Sequence, residues 1–302
     1  FGPGESNQTP LTGVNSYDIF HAKYNSDGTL QWAKSDGGAG GNIGISVAAL
    51  PDGSAIEVGV FGDSVTFGLG GDNPTPLTSA GDYDIYIAKY NSDGTLAWAK
   101  RAGGDSEDNI PSISTLSDGS FLLSGLFRGT MIVGPGETLE IPLTSAGNDE
   151  IFLAKYNSDG TPVWAKRAGG TDRDWVNAIA AVSDGSTLMT GMFKGTATFG
   201  PGEPGETSLT AGGAPGAADI FVAKYNPDGT LAGVKTAGGN GTAAWNNEGK
   251  GIDALPDGSA LVTGAFEQTG VFGAGEARET SLVAQGIADM FVAKFRPFGD
   301  GS

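Results

Sequence analysis

The stretch that decides the fold is Tyr17-Asp18-Ile19-Phe20-His21-Ala22-Lys23-Tyr24-Asn25-Ser26-Asp27-Gly28-Thr29-Leu30-Gln31-Trp32-Ala33-Lys34. It returns from Tyr83 to Lys100, from Asp149 to Lys166 and from Ala218 to Lys235, with a partial copy from Ala288 to Phe295. The lysine after the alanine marks the register at Lys23, Lys89, Lys155, Lys224 and Lys294, in steps of 66, 66, 69 and 70 residues. A fixed period of that size is read before anything else, because it sets the architecture.

Two further markers keep the same period. Asp-Gly-Ser recurs at Asp52, Asp118, Asp184 and Asp257, each time between apolar runs. Phe-Gly recurs at Phe1, Phe67, Phe199 and Phe272, with Val133-Gly134 in the remaining copy. A Leu-Thr or Leu-Val element follows at Leu11, Leu77, Leu143, Leu209 and Leu282. The apolar runs are about 5–8 residues long and end at Gly, Pro, Asp, Asn or Ser, which fits strands. Asp-Gly between two such runs signals a hairpin in which both turn positions tolerate positive φ. In Asp84-Ile85-Tyr86-Ile87-Ala88 both faces are apolar or small, as a strand covered on two sides requires.

One unit therefore holds two Asp-Gly hairpins, four main strands and a Gly-rich excursion. Four antiparallel strands per repeat describe a propeller blade. The expected fold is all-β: a β-propeller of four-stranded antiparallel blades, about five blades, from four full repeats plus a partial one. One domain is expected over 1–302, in units of about 1–66, 67–132, 133–198, 199–271 and a partial 272–302. A five-bladed ring closed by the chain ends is favoured. It stands against a four-bladed ring with a spare hairpin, a fragment of a longer array, and a spare hairpin pairing with another copy.

Composition narrows the function. Glycine supplies 52 of 302 residues, cysteine is absent, and histidine occurs once. Acids outnumber bases 35 to 17, for a net charge of -18. A disulfide framework, a thiolate nucleophile and a Cys-based zinc site are excluded. Nucleic acid is not an expected partner, because phosphate binding needs a basic footprint. No run approaches the roughly 18 apolar residues that span a bilayer, so membrane insertion is not expected. Phe1-Gly2-Pro3-Gly4-Glu5 is no signal peptide, so any such segment is expected to have been removed or to lie outside this chain. Hydrophobic residues at 38% in a regular pattern indicate a packed core, with the glycines serving as turn residues.

The repeat resembles the bacterial β-propeller repeats known as SBBP repeats. Asp172 to Ala181 and Thr190 to Thr196 carry the likeness best, and it extends over essentially the whole chain. The resemblance implies a propeller that is extracellular or at the cell surface, and implies no activity. A weaker likeness to the FG-GAP propellers of integrins runs through the Phe-Gly and Asp-Gly elements. Their Asp-x-Asp-x-Asp-Gly calcium loop has no counterpart here, so calcium is not carried over.

No catalytic residue is expected. His21 stands where other copies have Ile87, Leu153, Val222 and Val292, and reads as drift at an apolar position. The acids five residues before each marker lysine (Asp18, Asp84, Glu150, Asp219, Asp289) read as caps at a strand entry or as partners of a lysine, with a cation-binding ring as the alternative. The turn acids Asp27, Asp93, Asp159 and Asp228 bond their own backbone. No cofactor is expected; calcium would need six or more oxygens to converge.

Departures from the repeat mark the candidate ligand-binding face: Asp105, Glu107 and Asp108, then Asp172, Asp174 and Trp175, then Trp245, Asn246 and Asn247. All follow the Gly-Gly that ends a unit, where loops leave a rigid scaffold. Trp32, Trp98 and Trp164 share one repeat position and read as blade packing. The lysines Lys23, Lys89, Lys155, Lys224 and Lys294 alternate with apolar neighbours and are expected to snorkel toward an acid.

The function expected is a non-enzymatic structural or interaction module, self-assembling through its incomplete terminal repeat into filaments or arrays. The alternative is a lectin-like propeller in adhesion. Partners would be other copies, or other cell-surface proteins and glycans. An enzyme would require one blade to carry acids with perturbed pKa values in a cleft.

Overall fold

The computed structural model describes residues 1–13, 17–239, 241 and 247–298, and in these the chain is all-β. The first pass through the repeat gives β1 (Ile19–Tyr24), β2 (Leu30–Gly38), β3 (Asn42–Ala49), β4 (Ala55–Phe61), β5 (Ser64–Phe67) and β6 (Thr75–Thr78). The second gives β7 (Asp84–Tyr90), β8 (Leu96–Gly104), β9 (Asn109–Thr115), β10 (Phe121–Phe127), β11 (Thr130–Val133) and β12 (Ile141–Thr144). The third gives β13 (Glu150–Tyr156), β14 (Pro162–Gly169), β15 (Trp175–Ala181), β16 (Thr187–Lys194), β17 (Thr196–Phe199) and β18 (Thr207–Thr210). The fourth gives β19 (Ala218–Tyr225), β20 (Leu231–Gly239), β21 (Glu248–Ala254), β22 (Ala260–Phe266), β23 (Thr269–Phe272) and β24 (Thr280–Val283). β25 (Asp289–Phe295) begins a fifth.

Both Asp-Gly hairpins form where expected, by a different turn. Only the glycine is left-handed, with φ of +84° at Gly28 and +81° at Gly53. In the first loop Asn25 N–H donates to Thr29 O at 2.8 Å and Gly28 N–H to Asn25 O at 2.9 Å. The aspartate keeps negative φ because its carboxylate has local donors: Asp27 Oδ1 accepts from Thr29 N–H at 2.9 Å. This is a longer loop with a glycine bulge, in place of a two-residue primed turn.

The four expected strands of a blade are present and in order. The Gly-rich excursion adds a third hairpin, so the three complete sheets have six strands: β3-β4-β7-β8-β11-β12, β9-β10-β13-β14-β17-β18 and β15-β16-β19-β20-β23-β24. We call the three pairs the inner, middle and outer hairpins. After its inner hairpin the chain leaves the sheet and lays the outer hairpin on the previous sheet. Gly37 and Gly38 of β2 thus pair with Thr66 and Val65 of β5. Each sequence repeat straddles two sheets.

The blades share one register. Ala55, Phe121, Thr187 and Ala260 of the inner hairpins face Tyr90, Tyr156, Tyr225 and Phe295. Two sheets are partial. The first has only middle and outer strands, β1-β2-β5-β6; the last has only β21-β22-β25. No described strand of one pairs with a strand of the other.

The core lies between sheets. Residues four and two before the marker lysine form a front face, such as Ile85 and Ile87, and pack on Phe152, Ala154 and Tyr156 of the next sheet's rear face. Ile151 and Leu153 meet Phe221, Ala223 and Tyr225 in the same way. Ile220 and Val222 meet Phe291 and Phe295. Successive sheets thus repeat one apolar contact of front on rear.

Candidate functional site

The two partial sheets each leave one half of that contact uncovered. Phe20 and Tyr24 on the rear of β1 are 62% and 49% exposed, while Tyr86, Phe152 and Phe221 at the position of Phe20 are fully buried. Met290 and Val292 on the front of β25 are 89% and 72% exposed, while their interior counterparts are buried. Burying a large apolar side chain contributes roughly 1.5–3 kcal/mol.

Each uncovered end also holds a cavity. One, of about 640 Å³, lies between β1 and the rear of β3, lined by Phe20, Tyr24, Ile43, Ile45 and Val47. In a complete sheet the strand beside the middle hairpin belongs to the inner hairpin. The other, of about 570 Å³, lies between β25 and the β23–β24 hairpin, lined by Phe272, Leu282, Val292 and Phe295. It flanks the free edge of β25, where a complete sheet continues into its fourth strand.

Between the first and second sheets stands a polar cluster that, among the described residues, no other junction has. His21 Nδ1 is 3.1 Å from Glu57 Oε2, and Nε2 is 3.5 Å from Asp36 Oδ2. Tyr86 donates its hydroxyl to Glu57 Oε1 at 2.8 Å, and Tyr90 donates to Asp36 Oδ2. The His21 and Tyr90 rings lie 4.1 Å apart. Asp36 and Glu57 are buried. Burial and the adjoining carboxylates hold both tyrosine hydroxyls protonated, well above the usual range.

The signal for this cluster was in the repeat. Asp36 stands where other copies have Ala102, Ala168 and Ala237; Glu57 where they have Leu123, Met189 and Val262; Tyr86 where they have phenylalanine. His21 alone reads as drift, whereas four polar departures meeting at one point do not.

No family model matches the chain. It is 23% identical over 264 residues to an uncharacterized WD repeat-containing protein of Acanthamoeba polyphaga mimivirus, covering 80% of this chain and 19% of that protein. It is 25% identical over 194 residues to the regulatory protein FlaEY of Caulobacter vibrioides, covering 63% of this chain and 19% of that one. The chain thus spans about a fifth of the length of the curated relatives it matches. The WD40 domain of Neurospora crassa Pan2 superimposes with a TM-score of 0.29 at 9% identity, over 81% of this chain and 80% of that one. At that score neither blade number nor ring closure carries over. The WD-repeat relative agrees with a β-propeller repeat protein.

The acidic departures divide. Asp105, Glu107 and Asp172 are exposed. Asp108 and Asp174 are fully buried and Asn247 nearly so, each immediately before the first strand of an inner hairpin. Asp108 Oδ2 accepts from Gly104 N–H at 2.8 Å, and Asp174 Oδ2 from Gly170 N–H at 2.7 Å. Burial pushes Asp108 up to about 8 and Asp174 up to about 7, with the neighbouring acids Asp84 and Glu150 adding to it. A Cβ on Gly103 would stand 2.5 Å from Asp84 Cγ and 2.8 Å from Asp108 Oδ2, so the two carboxyls converge on that glycine. Arg101 and Arg167 attend the first acid of each pair, reaching Asp84 at 2.7 Å and Glu150 at 2.5 Å. The other two repeats have Asn42 and Asn247 in place of the second acid, and Ser35 and Thr236 in place of the arginine. Trp175 lies under the Arg173 guanidinium, 4.3 Å from its ring centre. Trp245 and Asn246 lie outside the described residues.

The repeated acids cap their strands. Asp84 Oδ2 and Asp289 Oδ2 each accept at 2.9 Å from the backbone N–H four residues earlier. The marker lysines reach both acids and carbonyls: Lys224 meets Asp184 at 3.2 Å and Lys294 meets Asp257 at 2.7 Å, while Lys23 meets Ser92 O at 3.1 Å and Lys89 Ser158 O at 3.5 Å. Lys155 lies beside Asp118 in the same frame, close enough to help lower that acid's pKa. The tryptophans pack between blades. A Cβ on Gly94 would stand 2.8 Å from Trp32, one on Gly160 2.9 Å from Trp98, and one on Gly229 2.7 Å from Trp164. Each ring thus lies under the turn glycine of the next sheet. Among the described residues no group of three His, Cys, Asp or Glu could hold a metal ion, and no helix is long and apolar enough to cross a membrane.

Proposed function

We propose that this chain is a non-enzymatic structural and interaction module, working outside the cell, that associates with further copies through the two uncovered ends of its blade array. The carrying observation is that positions buried at every interior junction lie open on β1 and β25. The open surfaces are the front and rear of one repeated contact, so each is shaped for the other. The polar departures fit a structural role: His21, Asp36 and Glu57 hold one another across a sheet junction, which ties the first sheet to the second. The extracellular placement draws on the resemblance to SBBP repeats. The carbohydrate-binding alternative has less behind it, since Arg173 covers one face of Trp175.

Sedimentation velocity across a concentration series tests the reading. The mass is expected to rise with concentration, and Phe20→Asp is expected to keep the chain monomeric. A wild-type chain that stays monomeric throughout would overturn it.

A further inference from the structure

The two partial sheets are complementary in strand content as well as in surface. The first sheet has middle and outer hairpins and no inner one; the last has an inner hairpin, β21–β22, and no outer one. Among the described residues there are four inner, four outer and four middle hairpins, and one additional strand of the third type, β25. Placing β21–β22 beside β1-β2-β5-β6 makes one complete six-stranded sheet.

We propose that the β21–β22 hairpin of one copy docks in the groove beside β1 of a second copy, where β1 takes the place of β25. The inference rests on the self-association reading and specifies its contact. The β1 strand already carries the rear face that β25 presents: Phe20, Ala22 and Tyr24 stand for Phe291, Ala293 and Phe295. The register follows from the interior blades, where Glu57, Leu123 and Met189 face Ala88, Ala154 and Ala223. By that rule Val262, which faces Ala293 within one chain, faces Ala22 of the second copy. The exchange fills the first cavity, because the groove beside β1 receives the inner hairpin, and it brings β2, β5 and β6 to the side of β22 on which the last sheet stops after β25. The free edge of β1 provides the backbone groups for strand addition.

The chain has no cysteine, so introduced thiols report pairing without background. Ala22→Cys and Val262→Cys forms of the 302-residue chain would be mixed and oxidised, beside Lys23→Cys with Val262→Cys as a control shifted by one residue. A crosslinked heterodimer from the first mixture, at least ten-fold above the control, is expected. Self-association without that crosslink would leave the end-face reading standing and overturn the hairpin assignment. Absence of any self-association would overturn both. A double variant that crosslinks within single chains, while the mixed single variants do not, would make the contact a ring closure and overturn the second copy. Proline variants provide a check independent of the thiols, with circular dichroism confirming the fold. Ala293→Pro, which loosens β25 from β22, is expected to raise the oligomer fraction, and Ala22→Pro to abolish it. Equal effects of the two would contradict the exchange.

Discussion

β1 and β13 are built from nearly the same residues, Ile-Phe-His-Ala-Lys-Tyr against Ile-Phe-Leu-Ala-Lys-Tyr. Yet Phe152 and Tyr156 are buried and Phe20 and Tyr24 are open to solvent. The strands have the same local geometry, so burial here is a property of the neighbouring sheet. An array of this kind gains stability junction by junction, and its ends keep whatever the last junction would have covered.

The largest expected effect isolates that difference. Phe152→Ala should destabilise the chain by about 3–5 kcal/mol, the usual cost of an aromatic deleted from a packed core. Phe20→Ala should cost under about 1 kcal/mol in dilute solution, where no sheet covers it. Urea denaturation measures both. Equal losses would mean that the two strands have the same surroundings, contrary to the open first sheet.

The first junction differs from the others in chemistry as well as in cover, and that difference breaks differently. Removing Glu57 alone, as Glu57→Leu, leaves His21 Nδ1 and the Tyr86 hydroxyl without their partner in a buried setting. A loss of about 3 kcal/mol is expected, as for a buried pair stripped of one member. Replacing the set with the residues of other repeats (His21→Ile, Asp36→Ala, Glu57→Leu and Tyr86→Phe together) should restore stability to within about 1 kcal/mol of wild type or better. A quadruple variant weaker than the single one would show that the cluster does more than join sheets.

A third comparison sets the acid pairs against their amide counterparts. Asp108 and Asp174 have raised pKa values in the folded chain, about 8 and about 7, against an ordinary carboxylate when unfolded. The folded chain therefore binds more protons, and its stability falls as pH rises from the ordinary carboxylate range through those values. The slope is at most about 1.4 kcal/mol per pH unit for each acid. Asp108→Asn and Asp174→Asn copy the arrangement of Asn42 and Asn247, and should flatten this decline between pH 5 and about 8. Melting curves at several pH values read it. An unchanged slope would place both acids in contact with water.

Much of this was legible in the sequence, because the repeat made it so. The inner and middle hairpins follow from Asp-Gly between short apolar runs, and the register follows from the spacing of the marker lysines. The outer hairpin was visible as Phe-Gly and Leu-Thr, yet its attachment to the preceding sheet was not. Pairing partners depend on where the chain can reach, which a local pattern does not encode. The burial of Asp108 and Asp174 was hidden for a related reason. Acids after Gly-Gly look like loop residues until the glycine is seen to admit their carboxyls against its Cα. His21 taken by itself reads as drift, and its meaning comes from Asp36 and Glu57, which lie on other strands of the fold.

The central claim is that the open face of the first sheet is covered by association. Amide hydrogen exchange in β1, followed against protein concentration, tests it most directly. Protection of Ile19–Tyr24 is expected to rise with concentration, while Glu150–Tyr156 in β13 stays equally protected throughout. Exchange in β1 that ignores concentration, even where the sedimenting mass has risen, would contradict the claim and place the contact elsewhere on the molecule.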